Sequence, residues 1–430
     1  MLPEGRGAPV IRTIRRHGNV DLTVAAPPSK SYTHRAFITG ALATGETVVW
    51  HPLDSGDTRL TAAALRTLGV PVAWQQDEVR IAGTGGALSC PAGTTLDLGN
   101  SGTSLRLLTS LALLCDHPVL LTGNNRMRER PIGPLADAIR QIGGAVTFTQ
   151  KTGYPPLRVG GNLTGGPVTI DGSASSQFIS SLLLIAPYAE NVMTVTVAGM
   201  PASRSYLDIT MDVMRRFGAE VVQEPGDAFM VSNRHRYAGR KYAVEGDYSS
   251  ASYFFAIAAI CSGRVTVTGL APASVQGDRW FLDALQVMGC EVSYGKDAVT
   301  VERAGPLAGI TTDMSSSPDT VQTLCVVAAV AESPSTITGI SHLKFKESDR
   351  ISTTAENLRR LGGDVQAGDD RIQIRPAALH GGTIDPADDH RTAMSFAVLG
   401  LGIGGVTITS TECVDKSFPG FWQSLDGVMQ

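Results

Sequence analysis

Apolar residues recur along this chain in two alternating patterns. In the first, apolar positions spaced i, i+3 and i+4 run into a glycine and then a β-branched stretch. Its instances are ALRTLGVPV to Val72, AIRQIGGAV to Val146, VMRRFGAEV to Val221, ALQVMGCEV to Val292 and NLRRLGGDV to Val365. The spacing predicts an amphipathic helix, the glycine its left-handed stop, and the residues that follow a strand. The glycines are Gly69, Gly143, Gly218, Gly289 and Gly362, separated by 71 to 75 residues, which marks an internal repeat.

The second pattern opens on a Gly-, Ser- or Asp-rich turn and continues into a helix that is apolar on every side. Its six instances are SKSYTHRAFITGALA from Ser29, GNSGTSLRLLTSLALL from Gly99, SASSQFISSLLLIAP from Ser173, GDYSSASYFFAIAAI from Gly246, SSSPDTVQTLCVVAAVA from Ser315 and DDHRTAMSFAVLGLG from Asp388. Such helices have no face for water and are expected at the centre, with amphipathic helices and sheets outside them. Six units predict an α/β (α+β) fold of two similar domains, three units in each. A strand near Val10 to Ile14 precedes the first unit, and the last ends at FWQSLDGVMQ without a full amphipathic helix and strand. The two chain ends are therefore expected to complete each other. Switches near Ala25 to Ser29 and near Glu245 to Asp247 give one domain of residues 1–25 plus 247–430, with residues 26–246 inserted in it.

At 430 residues the chain exceeds the size at which a single core keeps growing, in keeping with two domains. Hydrophobic residues at 43% and charged residues at 18% describe a globular rather than a disordered chain. A formal net charge of -4 supplies no basic field for nucleic acid or a membrane surface, although one local cluster can still hold a small anion. The six cysteines form no CxxC pair, and Cys115, Cys261 and Cys325 lie in apolar runs. They read as buried thiols in a reducing compartment, and no His/Cys spacing suggests a metal site. The N-terminal MLPEGRGAPVIRTIRRHG has no apolar stretch after its basic residues, and no run is long enough to span a bilayer. A cytoplasmic protein is expected.

Each central helix starts on small polar or charged residues. Helix N-termini present unpaired N–H groups and a partial positive charge, so they favour anions. For any single helix, N-capping is a sufficient explanation, and it accounts for Asp319 and Ser249. It does not account for cations in or near first turns, where the dipole disfavours them: Lys30, Arg35, Arg106 and Arg391. Arg130 in RMRERPIG, Lys346 and Arg350 in KFKESDRI, and Lys416 in CVDKSFPG join them. Scattered Lys and Arg usually form a solvated face. Here the repeat sets several at equivalent ends, which points to a cradle for phosphate and carboxylate, held bidentately by arginine and as a point charge by lysine. Asp313 lies just before a Ser-rich turn. Glu347 reads as a cap or a proton donor. His390 opens the sixth central helix beside Arg391, where a structural role competes with proton transfer.

These residues fall in motifs that resemble the 5-enolpyruvylshikimate-3-phosphate synthases, the enolpyruvyl transferases of aromatic amino-acid biosynthesis. The motifs are PPSKSYTHRA, LGNSGTSLRLL, RERPIGPL, SSQFISSLLL, EGDYSSASYF, KFKESDRI, DHRTAM and CVDKSFPGF, in the family's order from about Val24 to Phe421. The resemblance implies two domains of three βαβαββ units in an inside-out, barrel-like α/β arrangement with the substrate cleft between them. It implies transfer of enolpyruvyl from phosphoenolpyruvate to the 5-hydroxyl of shikimate 3-phosphate by addition and elimination. On this resemblance Lys30 touches both substrates, and Ser31, Arg35, Ser175, Ser176, Ser203, Tyr206, His342 and Lys346 hold shikimate 3-phosphate. Gln177 lies between the substrates, and Asn100, Gly102, Arg130, Arg350, Arg391 and Lys416 hold phosphoenolpyruvate. Asp313 would take the 5-hydroxyl proton and Glu347 would exchange one with the methylene carbon, with His390 and Lys30 as further proton-transfer candidates. No cofactor is implied, the two substrates are the only partners, and a monomer is expected.

Three positions depart from the family's usual pattern, the first being Pro28 of PPSKS, where PGSKS is commoner and where proline should stiffen the hinge rather than alter chemistry. His342 stands where asparagine is usual, which would make that contact pH-sensitive, and Leu107 stands where many members have proline. Two rival readings fit less well. The sister enzymes that act on UDP-N-acetylglucosamine have asparagine after the first-motif lysine and a mobile-loop cysteine, whereas Ser31 follows Lys30 here and Cys115 reads as core. A non-catalytic ligand-binding paralogue would have lost charged site residues, and none is missing.

Overall fold

A computed structural model describes residues 10–173, 175–199 and 203–429. The chain divides into two compact units, one formed by Pro28–Glu245 and the other by the residues up to Pro27 together with those from Gly246 onward.

The Pro28–Glu245 unit contains helices α1 (Lys30–Leu42), α2 (Gly56–Thr67), α3 (Gly102–Leu111), α4 (Gly133–Gln141), α5 (Ser176–Ile185) and α6 (Ser205–Arg216). Of these, α1, α3 and α5 are the uniformly apolar ones, and α3 and α5 pack side by side. Their Phe37, Leu108, Phe178 and Leu182 are fully buried with Leu65 of α2 and Ile139 of α4 in one hydrophobic core. Each buried Leu or Phe contributes about 1.5–3 kcal/mol. The helices α2, α4 and α6 end at Gly69, Gly143 and Gly218, whose φ values of 82°, 94° and 98° are the left-handed stops that the pattern required.

Three four-stranded sheets surround this core, in one repeated order. An edge strand runs parallel to the second strand, and the third and fourth add antiparallel. One sheet runs Thr95–Asp97, Val119–Thr122, Leu157–Gly161, Gly144–Phe148. The next runs Gly166–Asp171, Met193–Ala198, Ala228–Val231, Val221–Glu224. In the remaining sheet the edge strand beside Thr44–Trp50 is Lys241–Ala243, so the end of the segment closes onto its beginning.

The other unit contains α7 (Tyr248–Cys261), α8 (Trp280–Val287), α9 (Val321–Ala328), α10 (Arg350–Arg360), α11 (His390–Ile403) and α12 (Phe421–Val428). Its apolar helices α7, α9 and α11 pack on one another, and α7 buries every residue except Ser250. Hydroxyls join them inside: Ser252 Oγ donates to Thr323 Oγ1 at 3.4 Å, which meets Ser395 Oγ at 3.3 Å. Two sheets repeat the four-strand order, and one of them takes Asp21–Ala25 as its parallel edge. The third has three strands, Gly382–Ile384, Val406–Ile408 and Arg12–Ile14. One of the two strands missing from the last repeat is thus supplied by the N-terminal segment, and Arg12 fixes it to α12 through a 2.6 Å ion pair with Asp426.

Candidate active site

Both units gather charged and hydroxyl side chains at the starts of their central helices. In the Pro28–Glu245 unit, α3 begins at Gly102 behind its cap Ser101. The absence of a side chain at 102 lets two guanidinium groups close on the backbone. A Cβ there would lie 2.5 Å from Arg130 Nη2 and 2.7 Å from Arg106 Nη1. Arg130, only 3% exposed, donates from Nη1 to the carbonyl oxygen and Oδ1 of Asn100 at 3.3 and 3.4 Å. Arg106 donates to Gln177 Oε1 at 3.2 Å, and Gln177 Nε2 donates to Thr103 Oγ1 at 2.9 Å. Two arginines, an amide and a helix start thus form one anion-seeking group. Arg106 was legible as a misplaced cation, but the sequence attached no substrate to it.

Lys30, at the start of α1, faces Asp57 of α2 at 3.5 Å. Ser31 is partly buried beside it. Arg35 is 1% exposed and tied to protein on three sides: Nε donates to Thr210 Oγ1 (2.7 Å), Nη1 to the Ser31 carbonyl (3.0 Å), and Nη2 to the Tyr206 carbonyl (3.1 Å) and Ser180 Oγ (3.3 Å). Burial pushes its guanidinium down to about 10, with the nearby tyrosines acting in the opposite direction. Arg35 therefore joins α1 to α5 and α6, a framework task the sequence did not reveal. Ser175 caps α5 by accepting from Gln177 N at 3.3 Å, with Ser176 buried next to it. Ser203 holds a left-handed φ of 59° and a buried hydroxyl with no partner among the described residues, one turn before Tyr206.

In the other unit the charges interlock. Arg350 donates from Nε to Asp389 Oδ2 (2.8 Å), from Nη1 to Asp319 Oδ1 (3.0 Å) and from Nη2 to Glu347 Oε2 (2.9 Å). Burial works against its charge, but Asp389, Glu347 and Asp319 together outweigh burial and hold it well above the ordinary arginine value. Arg391 donates to Asp319 Oδ2 (2.6 Å) and Ser249 Oγ (2.5 Å), and Lys416 Nζ lies 3.5 Å from Glu347 Oε1. Three cations thus face three carboxylates.

This corrects several expectations. Asp319 and Ser249 are not caps: α7 is capped by Asp247 and α9 starts behind Thr320, while Asp319 and Ser249 receive the Arg391 guanidinium. Glu347 is not a cap either, since Asp349 caps α10. His390 is fully buried, its Nδ1 3.8 Å from Asp389 Oδ1. His342 is 5% exposed, and burial, then Lys346, push it down to about 3. Burial and Lys346 thus favour the neutral imidazole at this position. Lys346 is half-buried. Asp313 is exposed at the end of strand Thr311–Asp313, where its Oδ1 accepts from Ser315 N at 2.9 Å. Gly339, with a φ of 73°, leaves room for that carboxylate, which a Cβ would overlap.

Comparison with known proteins bears on this geometry. The model of the family described as EPSP synthase (3-phosphoshikimate 1-carboxyvinyltransferase) matches residues 14–425. A 3-phosphoshikimate 1-carboxyvinyltransferase of Methanoregula boonei is 62% identical over 98% of this chain and 100% of its own length. One from Serratia proteamaculans is 42% identical over 96% of this chain and 97% of its own. Among solved structures, EPSP synthase from Acinetobacter baumannii superposes with a TM-score of 0.80 at 29% identity, covering 97% of this chain and 98% of that one. The enolpyruvyl transferase NikO from Streptomyces tendae reaches 0.79 at 17% identity, over 99% of this chain and 98% of that one, a likeness of fold alone.

Proposed function

The chain belongs to the EPSP synthase (3-phosphoshikimate 1-carboxyvinyltransferase) family, and from that premise we propose how its residues divide the reaction. The enzyme transfers the enolpyruvyl group of phosphoenolpyruvate to the 5-hydroxyl of shikimate 3-phosphate and releases phosphate, a step of aromatic amino-acid biosynthesis. Glu347, which takes up a proton from solvent as the incoming phosphate draws Arg350 and Lys416 away from it, gives that proton to the methylene carbon and leaves C2 cation-like. The 5-hydroxyl oxygen attacks C2 while Asp313 takes its proton, and the tetrahedral adduct then returns one proton of its new methyl group to Glu347 as the C2–oxygen bond to phosphate breaks and phosphate leaves. Lys30, Asn100, Gly102, Arg130, Arg350, Arg391 and Lys416 serve the phosphoenolpyruvate anion. Ser31, Ser175, Ser176, Ser203, Tyr206, His342 and Lys346 serve shikimate 3-phosphate, Lys30 and Gln177 serve both substrates, and Arg35 holds the helices that present the serines.

The observation that carries this division is the pairing of Glu347 with both Arg350 and Lys416. A carboxylate placed between two cations of an anion cradle can pass a proton when the incoming phosphate competes for those cations. The acceptor is tested by phosphate release from phosphoenolpyruvate with shikimate 3-phosphate or UDP-N-acetylglucosamine added. Release only with shikimate 3-phosphate is expected, and release only with the sugar nucleotide overturns the reading. No described helix is long and apolar enough to cross a membrane. A cytoplasmic monomer fits this function, and light scattering after size exclusion checks the mass.

A further inference from the structure

Beneath α3 runs a line of hydrogen bonds that no step of the reaction uses. His34 Nδ1 lies 2.8 Å from Thr61 Oγ1, which lies 2.8 Å from Ser104 Oγ. Ser104 Oγ lies 2.7 Å from Ser101 Oγ, the cap of α3, and 3.2 Å from the carbonyl oxygen of Asp57. His34, Thr61, Ser104 and Ser101 are all fully buried. The line therefore crosses three helices within the protein. His34 sits one turn after Lys30 on α1, Thr61 one turn after Asp57 on α2, and Ser104 two residues after Gly102 on α3.

We infer that Thr61 is a positioning residue whose hydroxyl sets the start of α1, with Lys30, against the start of α3, with Gly102. This rests on the assignment of both helix starts to phosphoenolpyruvate. Counting protons gives the bonds a direction. Each hydroxyl has a single proton, and Ser104 gives its own to the Asp57 carbonyl, which cannot donate. Ser101 then donates to Ser104, Thr61 donates to Ser104, and His34 must donate to Thr61, so its proton is on Nδ1. Thr61 belongs to neither anion-binding helix and its hydroxyl bonds to both, beside Asp57, whose carboxylate meets Lys30 and whose carbonyl accepts from Ser104.

Valine copies the shape of threonine without the hydroxyl, and serine keeps the hydroxyl without the methyl group. In Thr61→Val the KM for phosphoenolpyruvate rises by about tenfold, the factor for one lost hydrogen bond of positioning. The KM for shikimate 3-phosphate rises by less, because of the two helix starts only Lys30 touches that substrate, and Thr61→Ser restores both values. An equal rise in both constants, or a drop in melting temperature with both constants unchanged, overturns the inference in favour of a packing role. Nitrogen NMR of histidine-labelled wild type reads the tautomer without any mutant, and a proton on His34 Nε2 also overturns it. Wild-type turnover of the two substrates tests the underlying assignment separately.

Discussion

Asp319 and Arg391 meet twice: Nη2 donates to the Asp319 carboxylate at 2.6 Å and Nη1 to its backbone carbonyl at 2.8 Å. The same carboxylate accepts from Arg350 at 3.0 Å, so one acid joins the starts of α10 and α11. Arg350 and Arg391 side chains are 2% and 6% exposed, which makes loss of their shared partner costly. Asp319→Ala is expected to lower stability by about 3 kcal/mol, the low end for a broken buried pair, because Arg350 keeps Asp389 and Glu347. Urea titration measures this, and a loss below about 1 kcal/mol would place Asp319 among inconsequential surface acids.

Gly102 is a steric requirement as much as a helix start. Its missing Cβ would lie 2.5 Å from Arg130 Nη2, so Gly102→Ala must displace that guanidinium or reject a ligand beside it. The KM for phosphoenolpyruvate is expected to rise by about 10- to 100-fold, or roughly 1.4–2.8 kcal/mol, with little change for shikimate 3-phosphate. Unchanged kinetics for both substrates would detach Gly102 from the anion site.

His342 gives the protein a measurable pH dependence of stability. It titrates at about 3 in the fold, against an ordinary value of 6.5, so the fold accommodates the neutral ring. Its contribution is complete above 6.5 and is lost as pH falls from there toward about 3. Over that window the wild type should lose up to about 1.4 kcal/mol more per pH unit than His342→Asn. Parallel urea midpoints for the two proteins between pH 7 and pH 4.5 would remove His342 as the cause.

The repeat was legible because helix stop, strand and buried helix each impose a local rule, and Gly69 or Gly218 obeys it whatever packs nearby. The supply of Arg12–Ile14 to the last sheet followed from a strand missing in the final repeat. Asp319 and Ser249 were misread because a cap and an ion-pair partner look alike at a helix start. What separates them is Arg391, which is 72 and 142 residues away in sequence. Thr61 carried no signal at all, since a threonine on an amphipathic helix reads as surface until α1 and α3 close over it.

Asp313 offers the sharpest division between chemistry and architecture. As an architectural residue it accepts from Ser315 N and Ser315 Oγ and so shapes the turn after strand Thr311–Asp313, well ahead of α9. Asparagine at 313 can still accept both of those hydrogen bonds through its carbonyl oxygen, but it cannot take a proton from a hydroxyl. If Asp313 serves the 5-hydroxyl, Asp313→Asn should keep its melting temperature and its affinity for shikimate 3-phosphate. Turnover should fall by roughly 10²- to 10⁴-fold, the usual loss for a general base. Single-turnover measurements with both substrates isolate the chemical step. A folded Asp313→Asn enzyme that keeps most of its turnover would confine Asp313 to the turn and shift the search for the base to Glu347, Lys30 and His390.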